Sequence, residues 1–228
     1  ISGTPFGFKI GRQSITYADK RIFGPGEWGN TGRYQWDAGK FYIQTDAVDV
    51  DLLYGRQVQP YPASFDDEHY DYDMVGVYAQ IKKLPVKLDV FYLLRYDDEG
   101  TTRGEAGLGD RRTHTMGFYV DGKAGGRKEW DYGGTVAFQA GQFGRDDLCA
   151  YGLNSRLGYT FDLPWQPRLG FEFSYASGDR DPTDGRHETF DNVFGAVDTY
   201  YGRMNLFSWM NLEDYQLTAS VKPAKDVE

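Results

Sequence analysis

The chain has 228 residues, 17% of them aromatic, with 29 glycines and a net charge of −9; this leans toward β architecture and lacks the basic footprint nucleic acid requires. Its single cysteine, Cys149, excludes an internal disulfide framework. No apolar run reaches the roughly 18 residues of a membrane-spanning helix, a limit that leaves a membrane β-barrel open.

The opening "ISGTPFGF" has no basic start followed by an apolar run, so the chain reads as mature, trimmed or a piece of something longer. A first strand is expected in "FGFKIGRQSITY" and a second in "YQWDAGKFYIQ", whose parity changes around Gly39 and Lys40 and predicts a bulge. "AVDVDLLYGRQV" and "DMVGVYAQIKK" follow as the third and fourth. In "VKLDVFYLLRY", Val86, Leu88, Val90, Tyr92, Leu94 and Tyr96 share one face and Lys87, Asp89, Phe91, Leu93 and Arg95 the other. After "THTMGFYVDG", the segment "EWDYGGTVAFQAG" sets Trp130, Tyr132, Val136 and Phe138 against Glu129, Asp131, Thr135 and Gln139. Two more strands place Tyr151, Leu153, Leu157 and Tyr159 opposite Asn154 and Arg156, and Leu169, Phe171, Phe173 and Tyr175 opposite Arg168 and Glu172. "YQLTASVK" closes a series of about ten strands, several longer than the usual five or six residues.

Short connections ("TDA", "KLP", "KAGGR", "LPWQP") alternate with long ones ("ADKRIFGPGEWGNTG", "QPYPASFDDEHYDY", "DDEGTTRGEAGLGDRR", "FGRDDLCA" and residues 178–214). All the short turns then lie at one end of a meander, as in outer-membrane barrels. The expected fold class is all-β: one domain over residues 1–228, an up-and-down antiparallel transmembrane β-barrel and part of a larger one. Such a barrel is too wide for an apolar lining to fill, so the mixed polar face is expected to line a wet lumen. The pore-lining candidates are Arg12, Arg56, Lys82, Lys87, Asp89, Arg95, Glu129, Asp131, Arg156, Arg168 and Glu172. Tyr and Trp near strand ends would sit at a bilayer interface.

"IGRQSITYADKRIFGPGEWGNTGR" at 10–33, "VDVDLLYGRQV" at 48–58 and "FEFSYASGDRDPTDGRHETFDNVFGAVDTYYGRMNLFSWMNLED" at 171–214 carry a further signal. Through them the chain resembles the alginate-export family of outer-membrane β-barrels. The resemblance implies a monomeric channel, wider than ten strands, in the outer membrane of a bacterial cell. It would contact lipid and pass an anionic polysaccharide or a small solute without covalent chemistry or a cofactor. The family's barrels are longer and end on an aromatic strand, so this chain is expected to be an internal portion. A lumen for a polyanion should be rich in Arg and Lys. Here Lys82, Lys87, Arg95, Arg156 and Arg168 share their face with Asp49, Asp51, Asp89, Asp131 and Glu172, which suits a differently selective porin as readily.

Catalytic and metal motifs are weak. There is no Gly-x-Ser-x-Gly elbow, no phosphate loop and no His or Cys pair at ligand spacing. Asp179, Asp181 and Asp184 make a calcium candidate in "DRDPTDGRHE", but the spacing fails the EF-hand template. The long segment 178–210 is aromatic enough to pack on itself or on the barrel mouth. Its constriction candidates are Arg180, Arg186, Phe190, Phe194, Tyr200, Tyr201, Phe207 and Trp209, with a short helix open in "TFDNVFGAV". Two other readings stand beside the channel: a non-channel outer-membrane barrel, either an enzyme or a sheath around a partner protein, and a soluble β-barrel binding protein.

Overall fold

The computed structural model describes residues 5–24, 35–59, 67–196, 199–202, 204 and 206–223, with the backbone alone for Gln59 and 67–72. Ten strands run in chain order across one antiparallel meander: β1 (Phe6–Ser14), β2 (Gln35–Gln44), β3 (Val48–Gln59), β4 (Asp67–Ile81), β5 (Lys87–Gly104), β6 (Gly107–Ala124), β7 (Trp130–Phe143), β8 (Asp146–Thr160), β9 (Arg168–Ala176) and β11 (Leu212–Ser220). The two-residue β10 (Arg186–His187) pairs in parallel with β8 at Asp147 and Leu148. Among the described residues no pairing joins β1 to β11, so the sheet is the open wall of a partial β-barrel.

Alternation gives the sheet two unlike faces. The outer face exposes large apolar side chains, among them Phe8, Ile10, Leu52, Val77, Val90, Phe118, Phe138, Leu157 and Phe171. On the inner face Leu53, Met74, Phe91, Leu93, Ala137 and Ala150 are buried, together with the polar Asp89, Thr113, Thr115, Thr135, Gln139, Asn154 and Ser174. What buries them is the chain itself. Segment 15–24 after β1 and the described residues of 188–209 before β11 fold against the inner face, and Ile15, Ile22, Phe23, Phe190, Phe194 and Trp209 join the wall residues in one cluster. The two segments also pair with each other, through Phe194 N–H to the Ile22 carbonyl at 3.1 Å and Ala196 N–H to the Lys20 carbonyl at 2.8 Å.

Several expectations change. The long connections after β5 and β7 are not loops: β5 and β6 are each 18 residues long and turn at Glu105 and Ala106, and β7 turns into β8 at Gly144 and Arg145. The amides of the β5–β6 turn are held by the first residue of β8, buried Asp146, which accepts from the Glu105 and Ala106 N–H groups at 2.5 and 2.7 Å. Half of the stretch expected as a loop before β4 is strand, since β4 begins at Asp67. No bulge interrupts β2, whose register with β1 and β3 is continuous through Gly39 and Lys40. Its parity change is instead a change of surroundings. Trp36 and Ala38 face inward beneath Phe23 and Phe194, whereas Phe41 and Ile43 face outward. The irregularities fall between Arg56 and Val58 on β3 and between Asp97 and Thr102 on β5. No helix forms in the described part of "TFDNVFGAV".

Candidate functional site

The inner face is the candidate site, and its charges are organised as pairs. At the end with the short turns, Lys82 lies 2.5 Å from Asp49 and Lys87 3.6 Å from Asp89. Asp89 is fully buried and also accepts the Tyr78 hydroxyl at 2.6 Å. Arg168 Nε and Nη2 clamp the two oxygens of Asp131 at 2.8 and 2.5 Å, a bidentate geometry that fixes both planes. Arg156 reaches Asp121 and, at 3.0 Å, the Tyr119 hydroxyl. Lys40 meets Asp51 at 2.9 Å, and Asp51 also accepts the Tyr17 hydroxyl at 2.5 Å. Register sets these charges side by side on one face, with Arg156 opposite Glu172 and Lys87 opposite Asp121, but the pairs themselves form with other neighbours, Arg156 with Asp121 and Lys87 with Asp89.

Midway along the wall sits a residue that the strand periodicity did not single out. Arg21, from the segment after β1, has a side chain only 1% exposed. It is held by Asp19 at 3.2 Å, by Glu172 of β9 and by the Tyr201 hydroxyl at 2.6 Å, and its guanidinium lies 3.6 Å from the centre of the Tyr200 ring. One cation therefore joins the wall to both inward segments. Burial, with Asp19 close by, pushes the Tyr200 hydroxyl above its ordinary range. Nearer the long-loop end, Arg111 binds Asp191, with Arg95 3.7 Å from the same carboxylate. Gln139 brackets that residue, donating to the Asp191 carbonyl at 2.6 Å and accepting its N–H at 3.0 Å.

Of the pore-lining candidates, Lys87, Asp89, Arg95, Asp131, Arg156, Arg168 and Glu172 stand on the inner face by strand parity, with Lys82 at its turn-end rim beside Asp49. Arg12 and Arg56 do not. Arg12 shares its face with the exposed Phe6, Phe8 and Ile10, and Arg56 with the exposed Leu52 and Tyr54. They belong to a lateral outer row, Arg12, Asp37, Arg56 and Asp73, each opposite the next in register; Arg12 binds Asp37 at 2.8 Å and Arg56 binds Asp73 at 2.6 Å. Glu129 lies in the turn before β7, where the N–H groups of its own turn hold its carboxyl below the usual range.

The constriction candidates divide by role. Phe190, Phe194 and Trp209 are buried packing residues: Phe190 meets Trp209 edge-on at 5.0 Å, and Trp209 Nε1 donates to the Tyr175 carbonyl at 2.9 Å. Tyr200 and Tyr201 hold Arg21, while Phe207, Arg180 and Arg186 are exposed. The calcium candidates do not converge. Asp179 accepts the N–H groups of Asp181 and Glu188, Asp181 those of Thr183, and Asp184 that of Arg186. No group of three or more His, Cys, Asp or Glu suited to a metal occurs among the described residues. Beside them, Glu105 is raised above its ordinary range by burial and by the neighbouring carboxylates of Asp179 and Asp146. His187 is lowered by burial and by Arg111, and its ring stacks on Phe143 at 3.9 Å.

A search of curated proteins finds no match to the chain. The family model for alginate export matches residues 1–228, the whole sequence. The chain therefore belongs to the alginate-export family of outer-membrane polysaccharide export channels.

Proposed function

We propose that this wall lines a passive, monomeric channel in the bacterial outer membrane, and that the solute moving along its inner face is an anionic polysaccharide or a smaller anionic solute. The observation that supports this is the contrast between the faces. From Leu88 to Tyr96 the outer residues of β5 are apolar or aromatic, eight steps that make about 27 Å of strand. Tilted by about 40°, that gives a band of about 20 Å, near the height a bilayer core requires. Tyr54, Tyr96, Tyr151, Tyr175 and Tyr215 border it on the long-loop side, and Trp130, Tyr159 and Trp165 on the turn side. The short turns then face the periplasm and the 18-residue strands reach outward. The complete protein should conduct in planar bilayers; a pure preparation that stays silent and admits no solute sinks this reading.

The two segments docked on the inner face favour a second reading, a barrel whose interior is closed by its own chain or by a partner. It predicts a conductance that appears only when those segments are released.

A further inference from the structure

On the outer face, the row that holds Arg12 and Arg56 runs beyond those two pairs. Register carries it from β1 to β6, through Arg12, Asp37, Arg56, Asp73, Tyr96 and Arg112, each opposite the next. It marks the edge of the apolar band. Ile10, Tyr54 and Leu94 stand on the same face, one step nearer the turns than Arg12, Arg56 and Tyr96. Strands about 4.8 Å apart place the backbones of Arg12 and Arg56 about 10 Å from each other, with Asp37 midway.

The charges of this row alternate in sign and remain accessible. Arg12 grips Asp37 with Nε and Nη2 at 2.9 and 2.8 Å, and Arg56 grips Asp73 with the same two nitrogens at 2.6 and 3.4 Å. Arg112, with a side chain 54% exposed, reaches Asp98 at 3.2 Å and Asp110 at 3.8 Å through Nη2. The row satisfies itself laterally, but exposed ion pairs hold weakly and yield to a better partner. A belt lying where the apolar band ends meets lipid headgroups, whose phosphates match a guanidinium fork. A headgroup with a single phosphate would set that anion beside a carboxylate at any Arg of the row. A headgroup whose phosphates are separated by sugar hydroxyls fits the alternation, because hydroxyls donate where carboxylates accept.

We propose that this row is a docking belt for a phosphorylated glycolipid of the outer leaflet, with phosphates on Arg12 and Arg56 and sugar hydroxyls on Asp37 between them. Arg112 continues the belt toward a neighbouring lipid. The proposal rests on the reading that the outer face meets lipid and that the long-loop side faces outward.

The test is equilibrium binding, to the full protein in detergent, of an acylated disaccharide carrying one phosphate on each sugar. Its dephosphorylated form and phosphatidylglycerol are the comparison probes. The bisphosphorylated lipid should bind more tightly than either. Arg12→Gln with Arg56→Gln should reduce its affinity about five- to tenfold, as the loss of two exposed charge contacts predicts. Arg12→Lys with Arg56→Lys keeps the charges without the forks and should lose about two- to threefold; it carries the test alone should the Gln variant misfold. Lys83→Gln with Arg127→Gln removes the same charge at the turn end and should leave the affinity unchanged. Dephosphorylated lipid or phosphatidylglycerol binding as tightly as the bisphosphorylated lipid overturns the proposal, as does equal affinity in the wild type and the belt variants, or equal loss in the control variant. Conductance of the same preparation separates this claim from the channel. Protein that conducts but fails these comparisons keeps the channel and loses the belt, and protein that passes them while silent does the reverse.

Discussion

Replacing Arg21 with Met should release both inward segments while the sheet persists. The side chain is 1% exposed and partners two carboxylates, Asp19 and Glu172, whose side chains are 9% and 21% exposed. Removing one member of a buried ion pair costs about 3–5 kcal/mol, mostly because its partner remains buried and uncompensated. The lower end applies here. Glu172 keeps the Asn154 amide at 2.9 Å, and Asp19 keeps Arg156 at 3.8 Å. About 3 kcal/mol corresponds to roughly a hundredfold rise in the open population of the segments. Hydrogen exchange reads this directly: the Phe194 and Ala196 amides, which bond to Ile22 and Lys20, should lose about a hundredfold in protection. The β5–β6 and β6–β7 ladders should not change. Arg21→Lys should fall between, since an ammonium keeps the charge but neither the fork nor the stacking on Tyr200. Protection of Phe194 and Ala196 within threefold of wild type in Arg21→Met would refute the idea that this cation pins the segments.

Gly195→Ala should separate the same two segments by another route, because a Cβ there meets the Arg21 carbonyl oxygen; trypsin should then cut after Lys20 or Arg21 faster than in wild type, and equal rates would count against the contact. His187 is held below its ordinary value of 6.5 by burial and Arg111, so the undocked ring takes up a proton before the docked one. Docking of β10 on β8 is then fully stable above that pH and weakens as the pH falls through it; exchange at the Asp147 amide, which bonds to the Gly185 carbonyl, should show this, and His187→Phe should abolish the dependence. Cys149 is exposed on the outer face of β8, one outward step beyond Tyr151. In vesicles a bilayer-impermeant maleimide should label it from the long-loop side alone, and labelling only from the turn side would invert the proposed orientation.

The strands and their faces were legible because a period of two survives wherever one face is apolar and the other is not. Legibility failed where that contrast lapses. Beyond Tyr96 both faces of β5 and β6 carry polar residues and glycine, as "DDEGTTRGEAGLGDRR" shows, and backbone pairing with the Arg112–Asp98 ion pair continues the hairpin. Equating charge with the inner face puts Arg12 and Arg56 inward, whereas both lie on the outer face. Past the apolar band the outer face is polar too, and the alternating row Arg12, Asp37, Arg56, Asp73 satisfies itself there. Arg21 had no periodic signal. Its sequence neighbours "YADKRIF" do contain one, an aromatic and apolar frame around three charges, unusual for a solvated loop and explained by burial on the wall.

Pairing also decides what a solute would feel along this wall. Most inner cations already have an aspartate or glutamate within reach, so the wall acts as a set of fixed dipoles more than as a uniformly positive tube. The surplus is displaced to the ends. Lys123 and Lys128 give the turn end a positive excess, while Glu105, Asp179, Asp181 and Asp184 give the outer rim a negative one. Conduction requires binding strong enough to admit a solute and weak enough to release it. A polyanion drawn to the turn end would find few free charges midway to hold it and like charge at the rim to oppose it, so this static field gathers an anion at the turn end and does not drive it outward. A small cation would meet the reverse field, and reversal-potential measurements under a salt gradient would show which ion the assembled barrel prefers.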